Sequence, residues 1–180
     1  MQSAIISRMV LFTHAVVGGA IGVALRSHPV SAFLFGFLSH FVLDAMPHWD
    51  YHLESSRKHS SGDRLQGNFV MNRSFVFDLI KIGTDLLTGA VIVYLFLYGD
   101  VLNISAFLVQ GTFWGMVGGV LPDVLQFVYY KTKREPLTTL QKFHLSVHTQ
   151  KRLDGRYVIG PLLQIGVVVL AVLISRFTAL

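Results

Sequence analysis

Ionisable side chains recur inside segments apolar enough to cross a bilayer, and that conflict restricts the possible folds more than any other feature of the chain. His14 lies in the first apolar run, and His40 and Asp44 sit four apart in the second, which closes as PHWDYH with His48 and Asp50. Asp78 and Asp85 belong to the third run and Asp123 to the fourth. His144 and His148, again four apart, precede the fifth. An ionisable group at bilayer depth costs about 2.5–3.5 kcal/mol on insertion scales unless it faces a partner or a water-filled cavity. A chain that repeats the feature run after run is expected to build a polar interior. Histidine and aspartate are also ligands of divalent metals.

The apolar runs cover 9–25, 29–47, 75–98, 104–130 and 157–175. A helix needs roughly 20 residues to cross the hydrocarbon core. With 52% hydrophobic and 14% charged residues, the chain falls outside the range of ordinary soluble domains. The expected fold is a single all-α integral membrane domain over 1–180, with about five transmembrane helices and one amphipathic cytoplasmic helix after Pro136, burying Leu140, Phe143 and Val147. The fourth run is long enough to tilt or to break at Pro122, which would display Asp123 at a non-helical corner. The stretch 54–68 reads as an exposed loop. There is no cysteine, so any metal site uses nitrogen and oxygen alone.

Charge placement gives an orientation. The long polar links 48–74 and 131–156 hold four and seven Lys or Arg, and Arg8 precedes the first run, against Arg26 and Arg176 on the other side. That bias predicts a multi-pass protein of a bacterial or archaeal cytoplasmic membrane with its N-terminus inside. The topology then gathers His14, His40, Asp44, His48, Asp50, Asp78, Asp85, Asp123, His144 and His148 into the cytoplasmic half. The net charge of +5 fits anionic lipid headgroups, a phosphorylated substrate or topology alone. The basic residues sit where topology requires them, so no sequence-specific nucleic-acid binding is expected.

Spacing makes the metal reading concrete. His40 and Asp44 project from one helix face, as do His144 and His148, so each pair can chelate an ion from a rigid element. The expected metal ligands are His14, His40, Asp44, Asp123, His144 and His148. Asp50, His48 and Asp85 are candidates for a further ligand or a general base, with Asp78, Lys81 and Asp85 forming a charged stripe that is either an ion-pair strut or part of the site. Gly18 and Gly22, with Gly111, Gly115 and Gly119, make small-residue stripes that let helices approach closely in lipid. The neighbouring Gly19 and Gly118 either join that packing or clear space for a ligand.

The TH of His14, the segment LSHFVLD and the LPD ending in Asp123 resemble the bacterial inner-membrane metal-dependent hydrolase family, the LexA-regulated membrane hydrolase-like group, itself distantly similar to zinc-dependent phospholipase C. The resemblance covers His14, His40, Asp44 and Asp123, with His144 and His148 where a histidine-rich motif would fall. It implies a multi-helix membrane fold with a metal-dependent hydrolytic site.

The expected function is hydrolysis of a phospholipid or another phosphoester at a cytoplasmic-face site holding one or more divalent ions, with zinc the favoured metal. Membrane lipids are the expected partners, and Lys131, Lys133, Arg134, Lys142, Lys151 and Arg152 would hold an anionic headgroup. The alternatives are a proton or metal-ion transporter and a metal-stabilised adaptor without catalysis. A catalytic ion keeps an open position, whereas a structural one is closed by protein.

Overall fold

The computed structural model of the chain describes residues 10–49, 52–57, 63–100, 102–149 and 158–178. Seven α-helices make up most of them: α1 (Leu11–Ala24), α2 (Pro29–Asp44), α3 (Arg73–Ile92, continued by the π-helical segment Val93–Tyr98), α4 (Ile104–Val109), α5 (Gly111–Thr132), α6 (Leu137–Val147) and α7 (Ile159–Thr178). The fold is all-α, as the apolar runs predict. One small addition is an antiparallel pair, β1 (Ser56–Arg57) and β2 (Asn68–Phe69), with Ser56 opposite Phe69.

Local chemistry explains where these helices begin. Pro29 occupies the first turn of α2, where its missing N–H costs nothing. Asn72 Oδ1 accepts the Phe75 N–H at 3.2 Å to open α3, and Asn103 Oδ1 accepts the Ala106 N–H at 3.1 Å to open α4. The flanking residue of α1 is Val10, which offers no capping side chain. Its first N–H groups, on Leu11 and Phe12, instead meet the Asp85 carboxylate of α3.

α1 is the central helix and packs on α2, α3, α5 and α7. Glycine makes its approach to α5 possible. A Cβ on Gly18 would run into the carbonyl of Gly115, one on Gly22 into that of Gly111, and one on Gly119 into that of His14. Gly36 of α2 meets the same Gly115 carbonyl from the other side, so α1, α2 and α5 touch backbone to backbone. Gly118 faces the backbone of Phe33, and Gly19 faces the side chains of Val93 and Leu97. Both therefore serve packing and leave no room for a ligand.

Three expectations need correction, and a fourth, the five membrane spans, is met only in part. The run 104–130 is two helices, broken at Gln110, whose backbone is extended (φ −91°, ψ 160°). Pro122 lies inside α5 without ending it, so Asp123 projects from a continuous helix. Neighbouring helices can re-satisfy the carbonyl that a proline frees, which lets the helix continue. Next, only Arg73–Tyr98 and Ile159–Phe177 among the described residues are long and apolar enough to cross a membrane. α1 and α2 have 14 and 16 residues, hence about 21 and 24 Å at 1.5 Å per residue, short of a core of about 30 Å.

In the segment 54–68, of which 58–62 lie outside the described residues, the rest is not simply an exposed loop. Ser55 and Ser56 are buried, and the end of α5 grips the hairpin. Tyr129 Oη donates to the Leu65 carbonyl at 3.0 Å, Tyr130 Oη to that of Arg64 at 2.9 Å, and Lys131 Nζ to that of Phe69 at 2.6 Å. Finally, α6 docks mainly through polar residues, with Leu140 and Val147 only half-buried and Phe143 edge-on against Phe41. It buries Gln141 and His144, while Phe143 stays half-exposed.

Candidate metal centre

Four helices deliver one cluster. α2 presents His40 and Asp44 on one face, with His40 Nε2 3.2 Å from Asp44 Oδ2. α1 brings His14 Nε2 to 3.4 Å from Asp44 Oδ1, and α5 brings Asp123 Oδ1 to 4.0 Å from His40 Nε2. From α6, His144 Nε2 lies 2.6 Å from Asp44 Oδ2, and from its C-terminal cap His148 Nε2 lies 4.0 Å from the same oxygen. His144 Nε2 is also 3.4 Å from His40 Nε2. None of these six side chains is more than 5% exposed. The six expected ligands therefore meet at one end of the bundle.

Three distal ring nitrogens, those of His40, His48 and His148, are held by backbone carbonyls, which decides which nitrogen faces inward. His40 Nδ1 donates to the Gly119 carbonyl at 2.8 Å, leaving Nε2 as the lone-pair atom toward Asp44 and His144. His48 Nδ1 donates to the Met46 carbonyl at 2.8 Å, and His148 Nδ1 to that of Thr149 at 3.3 Å. Such partners fix tautomer and ring orientation for metal binding. The Gly119 carbonyl sits one turn before Pro122, in the stretch of α5 where the missing proline N–H loosens the helical ladder. The backbone also ties the ends of the site together, since the Thr149 N–H donates to the Asp44 carbonyl at 2.8 Å.

Ring contacts pack the imidazoles densely. His14 stacks on His40 with centroids 4.0 Å apart, and His48 meets His148 edge-on at 5.0 Å. The potential ligand atoms fall into three trios: His14, His40 and Asp44; His40, Asp123 and His144; and Asp44, His48 and His148. The last two share no residue.

The donor set fits a divalent ion. Nitrogen and oxygen ligands about 2.0–2.1 Å from zinc lie at most about 4.2 Å from one another, and the Nε2–carboxylate separations of 2.6–4.0 Å fall within that limit. Several buried polar atoms also have no hydrogen-bond partner among the described residues, including both ring nitrogens of His14 and Oδ2 of Asp123. Buried polar groups are rarely left so. Burial pushes the His148 imidazole below its ordinary value of 6.5; Asp44 opposes the shift and His48 adds to it. A neutral imidazole is the ligating form.

No family model, curated protein or solved structure matches this chain. Its site has to be read from its own atoms.

The remaining candidates fall elsewhere or change role. His48 joins a ligand trio. Asp50 lies outside the described residues, as do Lys151 and Arg152. Asp85 belongs to none of the trios, and its carboxylate faces the start of α1. Asp78 is structural in its contacts: it accepts from Ser55 Oγ at 2.6 Å, Ser55 N–H at 2.8 Å and Glu54 N–H at 3.2 Å, and Lys81 pairs with it at 3.5 Å. The stripe is thus divided between two jobs.

The expected headgroup lysines are also partly occupied. Lys131 holds Phe69, and Lys133 donates to Gly67 at 2.7 Å while lying over the Tyr129 and Tyr130 rings. Arg134 and Lys142 are exposed. Sequence reasoning did not find the Gly119 and Thr149 backbone groups that orient the cluster. The motif GGVLPD, with a proline following the glycine pair, was the one signal for the first.

Proposed function

We propose that this chain is a multi-pass membrane hydrolase that uses divalent ions, with zinc favoured, to cleave a phospholipid or a related phosphoester. The observation that carries the reading is a set of buried His and Asp side chains, drawn from four helices, with more ligand atoms than one four-coordinate ion needs. The two trios without a shared residue suit two ions, with Asp44 and His40 close to both. The distant likeness of LSHFVLD and LPD to the inner-membrane hydrolase family points the same way.

The membrane setting rests on the surface. The bundle's polar groups gather inside, while Val30, Leu34, Leu38, Phe77, Ile80 and Leu170 face outward, each at least half exposed. An apolar exterior around a polar interior suits lipid better than water. α3 and α7 are the spans the composition supports directly, and α1, α2 and α5 complete a five-helix crossing in this reading, with the site toward the cytoplasm.

A divalent ion held by the cluster would supply acidified water and polarise a phosphoryl oxygen. The chain supplies the rest. His14, His40, His144, His148 and His48 would present ring nitrogens to the ion, and Asp44 would balance its charge between them. Asp123 keeps one oxygen without a partner and is placed to take a proton from the attacking water. Arg134 and Lys142 remain available to an anionic group.

The deciding experiment pairs elemental analysis of purified protein with a screen of lipid-phosphate hydrolysis. Stoichiometric metal with chelator-sensitive turnover is expected. Protein that is folded, metal-free and indifferent to added zinc would end this reading.

A further inference from the structure

The flank of the cluster is open to the side. α3 packs on α1, and toward α5 it leaves a cleft of about 160 Å³. Leu79, Ile82 and Leu86 form the α3 wall, and Val120, Val124 and Phe127 the α5 wall. Phe75 and Phe127 stack across one end, with centroids 5.9 Å apart and 20° between rings. Leu79 and Val124 are each 49% exposed and make the outer rim. The α3 wall from 75 to 86 runs roughly 16 Å at 1.5 Å per residue.

Three polar residues line this cleft, Ser55, Asp78 and Asp123; the first two are bonded to each other, and the third separates the cleft from an ordinary crevice between helices. Asp123 also belongs to the trio with His40 and His144. The cleft and the ligand cluster therefore share Asp123 as a wall. A larger cleft of about 360 Å³ between α1 and α7 makes the contrast: its lining includes Val17, Ile21, Ala171 and Ile174, with no carboxylate or imidazole. Hydrocarbon enters either cleft favourably, but only the first brings it against a reactive group.

We propose that the α3–α5 cleft holds a single acyl chain of a membrane lipid and so delivers that lipid's phosphoester to Asp123 and the metal ligands from within the bilayer. The volume is below the roughly 300–1,000 Å³ of a drug-sized pocket, so it takes a stretch of one hydrocarbon chain rather than two chains side by side. The substrate is accordingly an acylated phosphoester, recognised by its chain as well as its phosphate. This inference rests on the hydrolase reading for its chemistry, but the binding of the chain is a separate event with its own readout.

The test has two arms. In the first, wild-type protein in phosphatidylcholine–phosphatidic acid vesicles is irradiated with a phosphatidic acid carrying a diazirine near the chain terminus, and the labelled peptides are mapped. Label concentrated several-fold on Leu79, Ile82 and Val124 over the lipid-facing Leu163 and Val169 of α7 is expected. Even labelling of both regions would overturn the proposal.

In the second arm, Val124→Trp fills the cleft. Metal content and turnover of a water-soluble aryl phosphodiester should stay unchanged, while turnover of a dipalmitoyl phosphoester falls at least tenfold and that of a dihexanoyl one much less. Equal losses on all three substrates, or none, would also overturn it. If Val124→Trp fails to fold, Leu79→Trp on the opposite wall and the labelling of wild-type protein still decide. Concentrated labelling without turnover of any phosphoester would retain the cleft and defeat the hydrolase reading instead.

Discussion

His144 Nε2 lies 2.6 Å from Asp44 Oδ2, across a hundred residues of chain. The same carboxylate also meets His14 and His40, so Asp44 is the one group that touches three helices' histidines. Asp44→Asn keeps the volume and removes the charge that balances a divalent ion. Removing a partner that only orients a ligand costs about 10–100-fold in metal affinity, and removing a shared ligand should cost more. Elemental analysis after dialysis should therefore find Asp44→Asn depleted. Ser39→Ala, one residue before His40 and bonded only to the Gly36 carbonyl, should keep its metal.

Chelation should weaken the fold itself. The cluster joins α1, α2, α5 and α6, so an ion held by all four favours the native state over the unfolded one. At a free concentration a hundred times its dissociation constant such a ligand contributes about 2.7 kcal/mol. Thermal melting in detergent should show a fall in Tm on adding a chelator and recovery on adding zinc. Coincident melting curves with and without metal would mean that the cluster does not bind an ion tightly.

The helix junction under the cluster is as exacting as the ligands. Gly18→Ala puts a methyl group against the Gly115 carbonyl, in a place where both partners are backbone and neither can rotate away. Overpacking of this kind costs about 1–3 kcal/mol. The shift would also move His14, one turn earlier on α1, away from Asp44. Gly18→Ala should thus lower both Tm and metal content, whereas Gly83→Ala, in open space on α3, should leave metal content unchanged and keep or raise Tm.

These pairings show what a sequence can and cannot carry. Helical periodicity places His40 with Asp44 and His144 with His148, because residues four apart share a face. The assumption of one common membrane half then joined the pairs to His14 and Asp123. Glycine spacing likewise announced the α1–α5 contact. The break at Gln110 had no such signal: Pro122 was the local helix breaker, and the neighbouring helices let it stay within α5. The docking of α6 through Gln141 and His144 was equally hidden, since its apolar residues suggested the neighbouring face. Asp85 misled for a related reason. Its partners are the N–H groups of Leu11 and Phe12, and backbone donors leave no mark in a sequence.

Asp78 and Asp85 now separate by mutation. Asp78→Ala strands the N–H groups of Glu54 and Ser55 and the Ser55 hydroxyl, a loss of about 1–3 kcal/mol for buried groups left unpaired. Its metal content should stay at the wild-type level. Asp85→Asn keeps an oxygen for the start of α1 and should be milder on both counts. If Asp85→Asn lost metal as completely as Asp44→Asn, Asp85 would have to be counted among the ligands.

Acid should loosen the metal-free protein, in a direction set by His148. Burial holds its imidazole below the ordinary 6.5, so the unfolded chain takes up a proton at a pH where the folded one does not. Stability from this group is complete above about 6.5 and is lost as pH falls from there toward the folded value. One proton gives a slope of at most about 1.4 kcal/mol per pH unit. Melting of the metal-free protein between about pH 8 and pH 5, where histidine charge changes, should show Tm falling on the acid side. His148→Gln cannot take up that proton, so its Tm should fall less steeply over the same interval. Zinc should steepen the wild-type curve, because protons and metal compete for the same neutral nitrogens. Identical acid slopes in wild-type and His148→Gln would show that this imidazole is not held neutral by its surroundings.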